Sequence, residues 1–262
     1  SAIIYDALRR PIAVSRTLVD MIGRGETQDI FFTWPNRFSK HTCGGICTTP
    51  VDTMLVIDRS GSMNVGNKLT GAKSAATTYI DAAELIDKVG LVSFATIVSN
   101  PPDHELSLDH DAVKASAAAV EILKGELQYT NLGDGLKSAT MELQSARHAK
   151  DAKPVIIALT DGIANFPKNP ERANDQAYPE KYAVGIAAAA KASGIEIYTV
   201  GLGADINTTF LRDGIATNPA HYFKAPSASD LEGIYKKISE TVCKQEGFIT
   251  DIVIAPRAVF AQ

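Results

Sequence analysis

The sequence has no long apolar segment and no excess of basic residues. No apolar run in its 262 residues approaches the roughly 18 residues of a membrane span. The opening stretch, SAIIYDALRRP, lacks the basic start and apolar middle of a signal peptide. A net charge of −4 gives no basic footprint for nucleic acid. We therefore expect a globular chain with no membrane span and no nucleic-acid partner. Because the chain starts at Ser1 and not at Met, removal of a leader or anchor is an alternative that the sequence leaves open.

Cysteine is scarce and confined to the two ends of the chain. Cys43, Cys47 and Cys243 are the three cysteines, and residues 48–242 contain none. A disulfide from Cys43 or Cys47 to Cys243 would stabilise the fold by roughly 5 kcal/mol and would indicate an oxidising, extracellular setting. Two alternatives stay open: three free thiols in a cytosolic protein, or a zinc site that adds His41 to the cysteines.

Signatures of the common enzyme classes are also missing. The sequence contains no G-x-S-x-G elbow of a serine hydrolase, and GLGAD lacks the third glycine of a dinucleotide fingerprint. The stretch GNKLTGAKS resembles a phosphate loop, but an alanine separates its second glycine from Lys73. An aspartyl-phosphate mechanism on Asp58 would need a neighbouring acid or base, and Arg59 and hydroxyls stand there instead. We therefore predict that the protein is not an enzyme.

From residue 51 onward, short apolar runs alternate with helix-like segments. The runs predicted as strands are residues 51–57, 89–95, 154–159, 195–203 and 221–225. The helices are predicted at residues 68–85, 109–123, 131–146, 179–192, 207–215 and 228–243. TIVSN and ELSL suggest a short hairpin at the sheet edge. This alternation predicts an α/β fold with a doubly wound, mostly parallel sheet flanked by helices.

The two ends of the chain differ from this pattern. Residues 1–50 are predicted to be an extension or attachment segment, with apolar residues at helical spacing from Pro11 and an aromatic cluster around Trp34. Residues 51–243 form the predicted main domain, and residues 244–262 a strand-like C-terminal extension. We expect the two extensions to combine in a small accessory β element.

Three segments place oxygen-bearing side chains at the predicted carboxyl edge of the sheet. DRSGS supplies Asp58, Ser60 and Ser62, while Thr130 precedes a helix in YTNLGDG and Asp161 follows a strand in ALTDG. Ligands bind at this edge in doubly wound sheets. Carboxylates and hydroxyls without nitrogen or sulfur suit a hard cation such as Mg²⁺. Because hydroxyls are neutral, such an ion would attract a further carboxylate from a partner.

These motifs resemble, in order and spacing, the metal-ion-dependent adhesion site (MIDAS) of von Willebrand factor A domains. The resemblance covers residues 51–243 and implies that the two serines and the threonine contact the ion, while the aspartates often act through water. It implies Mg²⁺, with Mn²⁺ and Ca²⁺ as alternatives, and one short antiparallel edge strand. Asp134 is expected to support the helix start and not the metal. Residues 164–181 are expected to shape the rim of the site.

The stretch VIDRSGSM is similar to domains of bacterial pilus-associated and surface adhesins. The resemblance implies an extracellular or cell-surface protein that binds the Asp or Glu carboxylate of a protein ligand. Two alternatives are a structural subunit of an extracellular filament or assembly, and an intracellular partner of an ATPase. Free thiols at the three cysteines would favour the intracellular role.

Overall fold

The computed structural model describes residues 2–5, 11–15, 49–172, 174–242 and 251–254. The chain divides into two compact units, one made of Ser1–Thr48 with Cys243–Gln262 and the other of Thr49–Val242. No helix among the described residues is both long and apolar enough to cross a membrane. The proposed domain boundaries at residues 51 and 243 stay a prediction.

The described strands are numbered in chain order. They are β1 (Ala2–Tyr5), β2 (Pro11–Ser15), β3 (Val51–Asp58), β4 (Lys88–Phe94), β5 (His104–Ser107), β6 (Lys153–Thr160), β7 (Glu196–Leu202), β8 (Tyr222–Ala225) and β9 (Asp251–Ile254).

Among the described residues of the larger unit, five α-helices connect or follow the strands. They are α1 (Lys68–Ala82), α2 (His110–Ala119), α3 (Leu132–Leu143), α4 (Tyr178–Ala192) and α5 (Leu231–Val242). A 3₁₀ turn at Gly61–Asn64 precedes α1, and a π-helical turn at Phe210–Ile215 follows β7. The helix predicted at residues 207–215 is this short turn.

The larger unit holds a six-stranded sheet in the order β5-β4-β3-β6-β7-β8. Every pairing is parallel except that of the edge strand β5 with β4. The predicted α/β fold with one antiparallel edge strand is confirmed. The edge itself differs from the expected hairpin, because His104 of β5 pairs with Leu91 of β4, while Val98 makes only an isolated bridge to Phe94.

The central strand β3 is buried on both faces, which explains its continuous apolar run. Leu55 and Ile57 belong to one core cluster with residues of α1, α2 and α5. Met54 and Val56 face the opposite way, into a second cluster with residues of α3 and α4. Each fully buried side chain of this size stabilises the fold by about 1.5–3 kcal/mol.

A side-chain cap explains where α2 begins. The side chain of Asp109 accepts a hydrogen bond from the backbone nitrogen of Ala112 at the start of α2. This helix ends at Ala119, four residues before the predicted end at residue 123. The helix α1 likewise ends at Ala82, three residues before the predicted end.

The smaller unit contains a three-stranded sheet in the order β2-β1-β9. The strand β1 pairs antiparallel with both neighbours, so that Ile3 lies opposite Val14 on one side and Val253 on the other. This is the accessory β element expected from the two ends of the chain. The helical spacing read from Pro11 was wrong for Pro11–Ser15, which forms a strand. Trp34 and the three cysteines lie outside the described residues.

The strand order places the carboxyl ends of β3 and β6 side by side. The chain runs from β3 through α1 to β4 on one side of β3, and later adds β6 on the other side. Ile57 of β3 is in register with Leu159 of β6. Asp58 and Asp161, which follow these two residues, therefore emerge at the same edge, where the strand order reverses.

Candidate metal-binding site

Asp58 ends β3 as a fully buried carboxylate with both oxygens engaged. Its Oδ1 accepts a hydrogen bond from the backbone nitrogen of Ser60 (2.8 Å), and its Oδ2 accepts one from the hydroxyl of Thr160 (2.6 Å). The pKa of Asp58 is raised to about 6, mainly by burial. These hydrogen bonds lower the pKa, and the neighbouring Asp161 raises it by a smaller amount. The carboxylate is thus held in one orientation.

The two serines extend from the loop that follows Asp58. The hydroxyl oxygens of Ser60 and Ser62 lie 3.1 Å apart, and the Ser62 hydroxyl donates to Oδ1 of Asp161 (2.6 Å). Ser60 is buried, whereas Ser62 is exposed. The alternating spacing therefore brings both hydroxyls to one side of the loop, facing the end of β6.

Thr130 comes from a third loop, directly before α3. Its backbone nitrogen donates to the side-chain oxygen of Asn165 (2.7 Å), and its carbonyl oxygen accepts from the backbone nitrogen of Asn165 (3.1 Å). A Cβ added to Gly162 would lie 3.8 Å from the Thr130 hydroxyl and 3.9 Å from that of Ser62. The hydroxyls of two separate loops thus flank one space beside Gly162, which a larger residue there would narrow.

Asp161 follows β6 and connects the site to α1. Its side chain is fully buried; Oδ1 accepts from Ser62, and Oδ2 lies 2.6 Å from the ammonium nitrogen of Lys68. Lys68 is the first residue of α1, and its side chain is 24% exposed. The structure therefore brings all five predicted site residues to one edge of the sheet and adds a lysine that the motifs did not predict.

The donor set fits a hard divalent cation. Adjacent ligands of an octahedral Mg²⁺ with bonds of about 2.0–2.1 Å are about 3 Å apart, which agrees with the 3.1 Å between the two serine hydroxyls. Every oxygen comes from a carboxylate or a hydroxyl. Among the described residues, no group of three or more His, Cys, Asp or Glu could hold a metal, so a metal at this edge would depend on the hydroxyls. The Lys68 ammonium shows that the site accommodates positive charge beside Asp161.

Sequence reasoning missed Thr160 and Lys68, and it included Asn165 only within the segment expected to shape the rim. Thr160 directly precedes Asp161 in LTDG, so the pairing of β3 with β6 could have placed its hydroxyl near Asp58. The contacts of Lys68 and Asn165 join loops that are distant in sequence, and no local pattern signals them. Asp134 acts as expected at the helix start, since its oxygens accept from Asn131 (2.7 Å) and Tyr182 (2.6 Å).

A pocket of about 650 Å³ opens beside the candidate ligands. Ser62, Thr130 and Asp161 line one part of it, and the segment expected to form the rim lines much of the remainder through Ala164, Asn165, Lys168, Asp175, Gln176 and Pro179. Its walls carry both charge signs, with Lys68 and Lys168 against Asp161, Asp175 and Asp205. The pocket can therefore receive a polar group of a partner.

The structure describes the segment that resembles a phosphate loop but not the residues of the disulfide and zinc alternatives. In the segment that resembles a phosphate loop, Lys73 lies within α1 and donates to the carbonyl oxygen of Ala118 (2.8 Å), away from the candidate ligands. The disulfide and zinc alternatives involve Cys43, Cys47, Cys243 and His41, which lie outside the described residues and stay predictions.

Comparison with known proteins identifies related sequences. The family model of the von Willebrand factor type A domain matches residues 52–237. The thrombospondin-related anonymous protein of Plasmodium falciparum is 26% identical over 183 residues, which cover 67% of this chain and 30% of that protein. The chain spans about a third of the length of the curated relatives that it matches.

Solved structures share the fold. Proximal thread matrix protein 1 from the mussel byssus, in a form with a zinc-occupied MIDAS motif, has a TM-score of 0.63 at 21% identity, over 76% of this chain and 49% of that one. The pilus adhesin SpaC from Lactobacillus rhamnosus GG has a TM-score of 0.60 at 17% identity, over 77% of this chain and 31% of that one. At these identities the likeness shows the fold alone.

Proposed function

The chain belongs to the von Willebrand factor type A domain family, and we propose that it is a non-enzymatic, metal-dependent protein-binding domain. In this proposal the ion is Mg²⁺, with Mn²⁺ and Ca²⁺ as alternatives, and the residues that hold it are Asp58, Ser60, Ser62, Thr130 and Asp161. The observation that carries the proposal is the continuous contact from the Ser60 hydroxyl through Ser62 to Asp161, which joins two loops in an all-oxygen cluster.

Each residue has a distinct part in this proposal. When bound, the ion supplies the positive charge that attracts a carboxylate of the partner protein. Asp58 and Asp161 offset part of that charge, and their hydrogen bonds hold them in place before any ion arrives. The hydroxyls of the serines and Thr130 add oxygen ligands without further negative charge. The arrangement therefore leaves an anionic side chain of the partner as a favourable additional ligand.

The proposed setting is the bacterial cell surface or a pilus, with the protein acting as an adhesin. The fold shared with the pilus adhesin SpaC supports this setting, as does the similarity of VIDRSGSM to surface adhesins. A structural subunit of an extracellular filament or assembly is the second candidate, favoured by the fold shared with a matrix protein of the mussel byssus. Metal-dependent binding of an anionic ligand separates the two roles, since a purely structural subunit does not require it.

Metal binding can be tested before the partner is known. We expect the wild-type protein to bind Mn²⁺ in a titration followed by electron paramagnetic resonance, and acetate to displace water from the bound ion in water-proton relaxation. Asp58→Ala removes a charged oxygen ligand, and Ser62→Ala removes the exposed hydroxyl that donates to Asp161. Both variants should bind Mn²⁺ at least about tenfold more weakly, because removing residues that only support metal ligands already lowers metal affinity by about 10–100-fold.

Asp205→Ala is the matched control, because Asp205 lines the same pocket but is not among the proposed ligands. It should bind Mn²⁺ like the wild type, and circular dichroism should show that all variants are folded. Unchanged Mn²⁺ affinity in both Asp58→Ala and Ser62→Ala would refute the proposed ligand set.

A further inference from the structure

Lys68 places an ammonium group inside the candidate metal site. Its ammonium nitrogen lies 2.6 Å from Oδ2 of Asp161, whose side chain is fully buried, while the other oxygen of Asp161 accepts from Ser62. The lysine side chain is itself three-quarters shielded from solvent. Among the salt bridges of the described residues, the pair of Lys68 with Asp161 is the one that contains a proposed metal ligand. Because this pair is largely shielded from solvent, salt screens it only weakly.

The position of Lys68 in its helix makes this placement notable. It is the first residue of α1, where the helix dipole disfavours a cation. The first turn of α1 contains no acidic residue that could compensate, and the cap residue Asn67 makes no side-chain capping bond. The contact with Asp161, which comes from another loop, is therefore what holds the ammonium at this end of the helix.

We propose that Lys68 is a resident counter-cation that lowers the affinity of the site for a divalent ion and raises the affinity of the loaded site for an anionic ligand. This inference rests on the proposed function. Asp58, Asp161 and Lys68 together carry one net negative charge when ionised, so a bound divalent ion leaves the group with one net positive charge. Without the lysine, the same two carboxylates would neutralise the ion completely.

The two effects have opposite signs and one cause. An ammonium near a divalent ion repels it, which weakens metal binding, and the same ammonium attracts a carboxylate that approaches the ion. Before metal binding, Lys68 neutralises Asp161, which would otherwise be a buried carboxylate without a cationic partner. The lysine thus stabilises the metal-free protein and keeps the metal-loaded site electrophilic.

The test compares Lys68→Met with Lys168→Met. Both substitutions remove one positive charge from the lining of the same pocket, but Lys168 is exposed, and the ammonium that contacts Asp161 belongs to Lys68. At about pH 8, where carboxylates are ionised, we expect Lys68→Met to bind Mn²⁺ at least about tenfold more tightly than the wild type in the paramagnetic resonance titration. Lys168→Met should stay within about twofold, because solvent screens its charge.

Two further measurements follow the other consequences. Acetate should bind the Mn²⁺-loaded Lys68→Met protein more weakly than the loaded wild type, as measured by water-proton relaxation. In EDTA, the thermal midpoint of unfolding should fall more for Lys68→Met than for Lys168→Met. Saturating Mn²⁺ should then raise the midpoint of Lys68→Met more than that of Lys168→Met. Lys68→Gln keeps a hydrogen-bond donor without the charge and should behave like Lys68→Met; it replaces that variant if the methionine form does not fold.

Lys68→Arg keeps the charge and should bind Mn²⁺ like the wild type. Mn²⁺ affinity that is unchanged or weaker in both uncharged variants would overturn the inference while leaving the proposed function intact. Tight Mn²⁺ binding by Lys68→Arg equal to that of Lys68→Met would also overturn it, since charge would then not be the cause. Acetate affinity that does not fall would overturn the second half, and absence of Mn²⁺ binding in every protein would overturn both proposals.

Discussion

At the scale of single residues, the candidate site depends on side chains that hold the proposed ligands in place. Thr160 has a buried hydroxyl that donates to Oδ2 of Asp58, and Ser60 donates its backbone nitrogen to Oδ1. Without such donors, a fully buried carboxylate loses its hydration without replacement. The DRSGS motif predicted the carboxylate and the Ser60 hydroxyl, but the role of Thr160 required the register of β3 with β6.

Thr160→Val tests this support with a substitution of nearly the same shape. It leaves Oδ2 of Asp58 without its donor, so we expect the free energy of unfolding to fall by about 1–3 kcal/mol. Urea denaturation in EDTA measures the change. Thr140→Val is the control, because the Thr140 hydroxyl donates only to the carbonyl of Leu136 within the same helix, and its loss should cost little. Equal losses in both variants would contradict a special role for Thr160.

At the scale of elements, the glycines of NLGDG let α3 approach the sheet closely. A Cβ on Gly135 would lie 2.9 Å from the ring of Phe94 and 3.1 Å from the side chain of Val56. The same helix starts with Asn131 as its cap and follows Thr130 directly, so its position determines where the Thr130 hydroxyl lies. The sequence predicted that YTNLGDG supplies Thr130 to the metal site, whereas the packing role of Gly135 is visible only once β3 and β4 are in place.

Gly135→Ala should therefore destabilise the protein although alanine favours helices. Overpacking costs about 1–3 kcal/mol, more than the gain of about 1 kcal/mol in helix propensity. The matched control is Gly185→Ala in α4, where nothing lies within 4 Å of the added Cβ, so stability should rise. Thermal denaturation of the two variants would settle the point, and a stabilised Gly135→Ala protein would contradict the proposed close packing.

At the scale of the whole molecule, the amino edge of the sheet carries a buried carboxylate as well. Asp87, directly before β4, accepts hydrogen bonds from the backbone nitrogens of Val51 (2.8 Å) and Glu84 (2.9 Å). The pKa of Asp87 is raised to about 7, mainly by burial. The two hydrogen bonds lower this pKa, and the nearby Glu84 and Asp52 carboxylates raise it. This edge lies at the opposite ends of the strands from the candidate metal site.

This carboxyl makes stability depend on pH. Its pKa is about 7 in the folded protein against 3.8 as a reference, so folding favours the protonated form. Its contribution to the free energy of unfolding is complete below about pH 4 and is lost as the pH rises through about 7. The contribution amounts to about 1.4 kcal/mol for each unit by which folding raises the pKa. Asp87→Asn should remove this component of the pH dependence, and the exposed Asp151→Asn should retain it. Urea denaturation in EDTA at several pH values measures it; a parallel profile for Asp87→Asn would refute the role of Asp87.

The sequence by itself determined the alternation of strands and helices and the order of the oxygen-bearing motifs. Both are local patterns, which the hydrophobic periodicity and the residue types of short segments encode. It did not determine the ends of α1 and α2, the pairing of β5, or the strand at Pro11–Ser15, since neighbours in space decide these. Only the tertiary structure placed Lys68 on Asp161, across 93 residues, and Thr160 on Asp58, across 102. Such contacts exist because parallel strands bring distant loops to one edge, and no local periodicity encodes which side chains meet there.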